Sequence, residues 1–283
     1  MQDSKKAFTM IELIFVIVIL GIISSIASEL IAKVYDGYIV QRAQHRASIK
    51  TELAAVMIAN RLAAAIPGTV VRKSSLGDTT ATNITEAGVA VDNILQWVSA
   101  DVDSFNTMDT GAFTGTTRRP GWNGFCDVDA WITAGKSTTI STPGSNLGLA
   151  TTIINKLSNG GKTLADAELY FHSPSLGLLR NSVASGTGET ITLDTAPTTV
   201  VEQYKLAWTS YALVADGDLT LYYNFAPIIG QTFPSTTAKQ VLLRNISTFE
   251  FRGDGRTIRF KLCVHEDIGL DYNITICKEK AVF

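Results

Sequence analysis

Apolar positions are spread unevenly along this chain of 283 residues. Residues 8–27 read FTMIELIFVIVILGIISSIA, and Glu12 is the single charge among them. About 20 apolar residues rising 1.5 Å each are enough to cross a hydrocarbon core of ~30 Å. Beyond this block Ile49, Leu53, Val56, Met57, Asn60 and Ala64 recur in steps of three and four, the spacing of one helix face. Arg42, Arg46, Lys50 and Arg61 lie between them as solvated positions. Pro67-Gly68 supplies a stop. The pattern therefore predicts one helix over 8–66, about 88 Å long. Its first half is apolar, and its second half is expected to lay the 49–64 face under a sheet.

The remaining 67–283 is rich in Thr, Ser, Gly and Asn. From 68 to 145 it reads as loops with short strands near 93–98 and 130–133, and Ser145 is a candidate cap for a helix through 157. Strand patterns at 200–215 and 219–225 flank Asp216-Gly217-Asp218, and those at 241–252 and 256–266 flank Gly253-Asp254-Gly255, which makes two hairpins. A last strand covers 272–280. In 256–266 Ile258, Phe260, Leu262 and Val264 alternate with Arg259, Lys261, Cys263 and His265, one buried face against one polar face. The expected class is α+β: a long N-terminal helix, a membrane anchor that becomes amphipathic, packed under an antiparallel β-sheet head.

Lys5 and Lys6 precede the apolar block, which places them on the cytoplasmic side and the bulk of the chain outside. A cleaved secretory signal fits that basic start, but Glu12 weakens such a signal and no small-x-small site closes the run. A plain single-span anchor leaves Glu12 unexplained, because a carboxylate inside a membrane is costly unless it is paired. KKAFTMIEL resembles the processing motif of type IV prepilins. That resemblance covers roughly the first 30 residues. It implies a leader of residues 1–7, cleavage between Ala7 and Phe8 by a prepilin peptidase, and methylation of the new N-terminus. It also implies that Glu12 neutralises the N-terminal amine of a neighbouring subunit, with 13–26 as the membrane and filament-core stripe. Gly21 stands where many pilins keep a glycine. Ala7 replaces the usual glycine before the cut, and Glu29 stands where many major pilins have proline.

The order of a long helix, a variable region and an antiparallel sheet resembles pilins and pseudopilins. LLRNISTFEFRGDGRTIRFKLCV is also similar to the closing strands of larger minor pseudopilins of type II secretion. The resemblance implies a structural subunit, with the large head favouring a minor subunit at a tip or in an initiation complex. The expected partners are the membrane, the prepilin peptidase and other pilin-type subunits through the N-terminal helix. The expected location is the bacterial inner membrane, single-pass with the C-terminus outside the cytoplasm, then a periplasmic or surface filament. The alternatives are a membrane-tethered adhesin, receptor or enzyme that uses a pilin-like anchor.

Formal net charge is −2, which gives no reason to expect nucleic acid as a partner. No cofactor, metal site or catalytic constellation is expected. Ala130 to Ser137, AWITAGKS, is a relaxed phosphate-loop match lacking the first glycine. Asp101, Asp103, Asp127 and Asp129 lack calcium-loop spacing, and His45, His172 and His265 lack metal spacing. Sequons at Asn83, Asn245 and Asn273 are common by chance. Of the cysteines, Cys263 and Cys277 lie on strands expected to be adjacent and antiparallel, joined by a 267–271 turn. A register setting 263 opposite 277 sets Val264 opposite Ile276 and keeps the apolar face matched. Directly opposed residues lie within disulfide reach. A Cys263–Cys277 bridge is therefore expected, leaving Cys126 unpaired and stabilising the head by about 3 kcal/mol.

Overall fold

The computed structural model describes residues 9–86, 92–109, 118–268 and 273–283. The chain is α+β, and it begins with α1, Met10–Leu62. No proline interrupts those 53 residues. Among the described residues α1 is the one helix long and apolar enough to cross a membrane, and none of its most apolar stretch is buried. Past its end, Ile66 donates its N–H to the Val98 carbonyl at 2.9 Å, and Ala65 bridges to Ser99, so the chain leaves the helix directly onto a sheet.

The elements that follow are β1 Val71–Lys73, β2 Thr82–Asn83, β3 Ile94–Ser99, α2 Val102–Asn106, α3 Val128–Thr133, β4 Thr139–Ser141, α4 Leu147–Leu157, β5 Glu168–Ser173, β6 Gly177–Thr187, β7 Thr190–Leu193, β8 Tyr204–Ala207, β9 Thr209–Asp216, β10 Asp218–Phe225, β11 Lys239–Leu243, β12 Ile246–Asp254, β13 Thr257–Asp267 and β14 Asn273–Val282. They form three sheets with antiparallel pairing throughout: β11-β10-β9-β3-β1-β2, β12-β13-β14 and β4-β7-β6-β5-β8.

The first two sheets and the end of α1 make one lobe. Its core joins Ala54, Ala55, Ile58 and Leu62 of the helix to Leu95, Trp97, Leu213, Phe260 and Leu262 of the strands. The third sheet, with α2, α3 and α4, makes a second lobe around Trp122, Trp131, Ile154, Phe171 and Trp208. This second lobe is an insertion. The chain enters it after Ser99 and leaves it before Thr209, and those two residues pair directly between β3 and β9. A small shared cluster of Ile66, Val98, Tyr170 and Ala207 joins the two lobes. The Tyr170 hydroxyl donates across to the Pro227 carbonyl.

Five expectations need correction. The helix face that meets the sheets is Ala47, Thr51, Ala54, Ala55, Ile58 and Leu62, not the 49–64 series; Ile49 and Leu53 are 53% and 60% exposed. Ala47, Thr51, Ala54 and Ala55 let a sheet approach closely, Ile58 and Leu62 fill the space toward the helix end, and Ile49 and Leu53 face away. Residues 130–133 are helical rather than extended, because the Asp127 side chain accepts from the Ala130 N–H and starts α3. The next cap is Asn146, one residue beyond Ser145. The 200–215 run divides into β8 and β9, which belong to different sheets, and the 241–252 run divides likewise at Asn245, whose φ is +56°. The pair β5–β6 and the strand β7 had no counterpart in the sequence reading. Both expected hairpins are present, β9–β10 around Gly217 and β12–β13 around Gly255.

Candidate assembly site

Thr9 is the N-cap of α1 in extended conformation, with no side-chain cap bond. The Glu12 N–H donates to the Thr9 carbonyl at 3.1 Å, so Glu12 sits in the first turn. A carboxylate there lies at the positive end of the helix dipole. Its side chain is exposed among Met10, Ile11 and Leu13, also exposed. No cationic side chain pairs with it among the described residues. In a bilayer an exposed carboxylate is costly unless it is paired or protonated. Ala7 and Phe8, the expected cleavage junction, lie outside the described residues.

The other expected site lies far away in the three-stranded sheet. The register pairs Cys263 with Cys277 and Val264 with Ile276, and the two sulfurs form a disulfide across Cα atoms 4.0 Å apart. Part of the expected 267–271 turn lies outside the described residues. β14 also reaches the helix: Lys280 and Lys278 pair with Glu52 at 2.5 and 3.5 Å. The hydrogen bond from Lys280 holds the Glu52 carboxyl below its usual range. Staple and ion pairs together fix the C-terminal strand over α1.

The remaining candidates take structural positions. Cys126 is buried in the inserted lobe, its thiol donates to the Val201 carbonyl at 2.9 Å, and burial pushes its pKa up to about 12. A thiol so held is a poor nucleophile at neutral pH. Asp101 and Asp127 cap α2 and α3. Ala130 to Ser137 forms the end of α3 and its turn, where the Trp131 indole donates to the Ser137 carbonyl. The His265 ring meets the Thr275 hydroxyl at 3.4 Å. Among the described residues no three His, Cys, Asp or Glu side chains cluster as a metal site.

Missing from the sequence reading was the clamp of Lys73. This lysine is 1% exposed and donates to the carbonyls of Gly230 and Gln231 at 3.1 and 3.3 Å. Burial lowers its pKa, and the Asp78 charge opposes that. It pins the 226–238 segment to the outer face of the six-stranded sheet. A lysine at the end of a short strand gives no sequence signal for this role.

Residues 3–28 match a family model described as the prokaryotic N-terminal methylation motif. No curated protein and no solved structure matches the chain. The motif and the apolar helix fit anchoring in the inner membrane and association with other pilins. A methylation motif at the head of one long apolar helix, with antiparallel sheets behind it, is the architecture that fits a type IV pilin or pseudopilin.

Proposed function

We propose that this chain is a structural subunit of a type IV pilus or type II secretion pseudopilus, held in the inner membrane before assembly. The observation that carries the reading is Glu12, a carboxylate without an ion-pair partner among the described residues, in the first turn of an apolar helix that carries the methylation motif. A prepilin peptidase cuts between Ala7 and Phe8, the new N-terminus is methylated, and its ammonium in one subunit meets Glu12 of the next. Pairing removes the cost of an isolated charge in hydrocarbon. The C-terminal head stays outside the cytoplasm. A head enlarged by an inserted lobe supports a minor place, at a tip or in an initiation complex.

Mass spectrometry of the mature N-terminus tests processing. The expected terminus is methylated Phe8, and a terminus still at Met1, or beyond residue 27, sinks the reading. Glu12→Val tests assembly. Membrane insertion and the Cys263–Cys277 bridge stay intact, while the chain disappears from sheared filaments.

A further inference from the structure

The six-stranded sheet carries a groove on the face turned away from α1. Leu95 and Trp97 of β3 belong to the core shared with the helix, so alternation turns Ile94 to the opposite face. The register sets Thr220, Val214 and Ile94 side by side across β10, β9 and β3. Asp216 and Tyr222 lie two residues further along β9 and β10 on the same face, at opposite ends because the strands are antiparallel. Phe233 of the 226–238 segment packs on Tyr222 at 5.2 Å and covers that end. Beyond it the sheet is the floor of a groove of about 310 Å³, walled by Ser74, Ser75 and Leu76. That volume is at the small end of ligand sites, which run from about 300 to 1,000 Å³. The wall is tied to the covering segment, since the Phe233 N–H donates to the Leu76 carbonyl at 3.4 Å.

The groove is prepared for a ligand that brings hydroxyl groups. Asn93 donates from Nδ2 to the Ala215 carbonyl at 3.2 Å, which fixes the amide, and its Oδ1 is buried and accepts nothing among the described residues. A buried acceptor left without a bond is costly, and a ligand hydroxyl removes that cost. Asp216 is exposed and has no ion-pair partner among the described residues. The hydroxyls of Ser75, Thr220 and Tyr222 can each donate or accept. The wall is held in place: the Thr80 N–H and hydroxyl donate to Asp78 at 2.8 and 2.7 Å and the Ser74 hydroxyl at 2.9 Å, bonds that keep the Asp78 carboxyl well below its usual range. No cationic side chain lines the groove, so it offers nothing to a phosphate, sulfate or carboxylate. Ile94 and Val214 give the floor an apolar strip against which the C–H face of a sugar ring can lie. We propose that this groove binds a neutral saccharide, with Asp216 and the Asn93 Oδ1 accepting from its hydroxyls and Thr220 bonding beside them. Both the glycan strands of a cell wall and the neutral glycans of a foreign surface present such hydroxyls. Meeting either one outside the cytoplasm rests on the reading above, whereas the binding itself does not.

A glycan array tests the groove. The full-length chain, in a detergent without sugar headgroups, is applied to N-acetylglucosamine chains, to neutral oligosaccharides ending in galactose or glucose, and to oligosaccharides ending in sialic acid. Binding to a neutral set is expected, and the set that binds tells a wall glycan from a surface glycan. Asp216→Ala is expected to weaken binding at least ~10-fold and Thr220→Val about 3-fold, from the loss of a charged and a neutral hydrogen-bond partner. Asp216 is exposed and Thr220→Val keeps the side chain's shape, so both variants are expected to melt with the parent. Asp129→Ala, which removes an exposed carboxylate of the inserted lobe, is expected to leave binding unchanged. Binding confined to the sialic acid set, binding unmoved by both substitutions in the groove, or no binding to any set would overturn the proposal.

Discussion

The two lobes of the head, nine strands against five among the described residues, are held together by different means. In the helix-packed lobe the sheets close over Ala54 and Ala55 of α1, with Ile58 and Leu62 completing the face. A disulfide and the Glu52 pairs fix its last strand. The inserted lobe has neither helix anchor nor staple. It relies on three tryptophans and the rings of Phe171 and Tyr204 buried around one sheet. Large aromatic side chains bury 150–250 Å² each, about the area several alanines provide together. One lobe is thus built by close approach to a rigid rod and the other by volume, which makes the second tolerant of its position and the first dependent on the membrane helix.

This contrast fails if the lobes melt as one unit, and Phe171→Ala gives the largest test. Removing a fully buried ring costs about 3–5 kcal/mol. Amide exchange is expected to rise across 101–207 while β12–β14 stay protected; equal loss in both lobes would break the comparison. Ile58→Ala is the converse, costing about 2–5 kcal/mol and loosening β13 and β14 before the inserted lobe. Cys263→Ser should cost about 3 kcal/mol, again confined to the helix-packed lobe, and differential scanning under reducing conditions on the parent chain should mimic it.

The smallest effect concerns Asp101, at the passage between lobes. Burial raises its pKa, while bonds from Ser104 pull the other way. A carboxyl whose folded pKa is raised binds its proton more tightly when folded. Its contribution is complete below the unfolded pKa and is lost as pH rises through the folded value. Asp101→Asn keeps the oxygen that accepts from the Ser104 N–H. The variant is expected to be more stable than the parent at neutral pH, with the difference closing as the solution is acidified. A gap unchanged by pH would show that folding leaves the pKa of this carboxyl where it is in the unfolded chain.

Local signals carried much of this fold. Asp-Gly turns marked both hairpins, and strict alternation in β13 and β14 placed Cys263 opposite Cys277. Three features escaped for physical reasons. The buried helix face is the weakest apolar series in α1, because closeness rather than bulk decides what a sheet covers. The runs around Trp208 and Asn245 each cross from one sheet to another, and alternation carries no mark of that change. β5 is nearly all buried, so Leu169, Tyr170 and Phe171 present no period of two. Glu12 stands out in the sequence because one charge in an apolar block is conspicuous, whereas the uncovered ridge of Ile49 and Leu53 was mistaken for core.

The direct pairing of Ser99 with Thr209 has a kinetic consequence. These residues are roughly 110 apart in sequence, and joining such distant segments before anything else has formed carries a large loop-closure entropy. The intervening chain has its own sheet and aromatic core, and its two ends emerge side by side. If it folds first, β3 and β9 meet as if joined by a short turn. Refolding chains are then expected to protect β5 and β6 from exchange earlier than β3 and β9, and the bridge of Cys263 to Cys277 forms on either schedule, since β13 and β14 are neighbours along the chain.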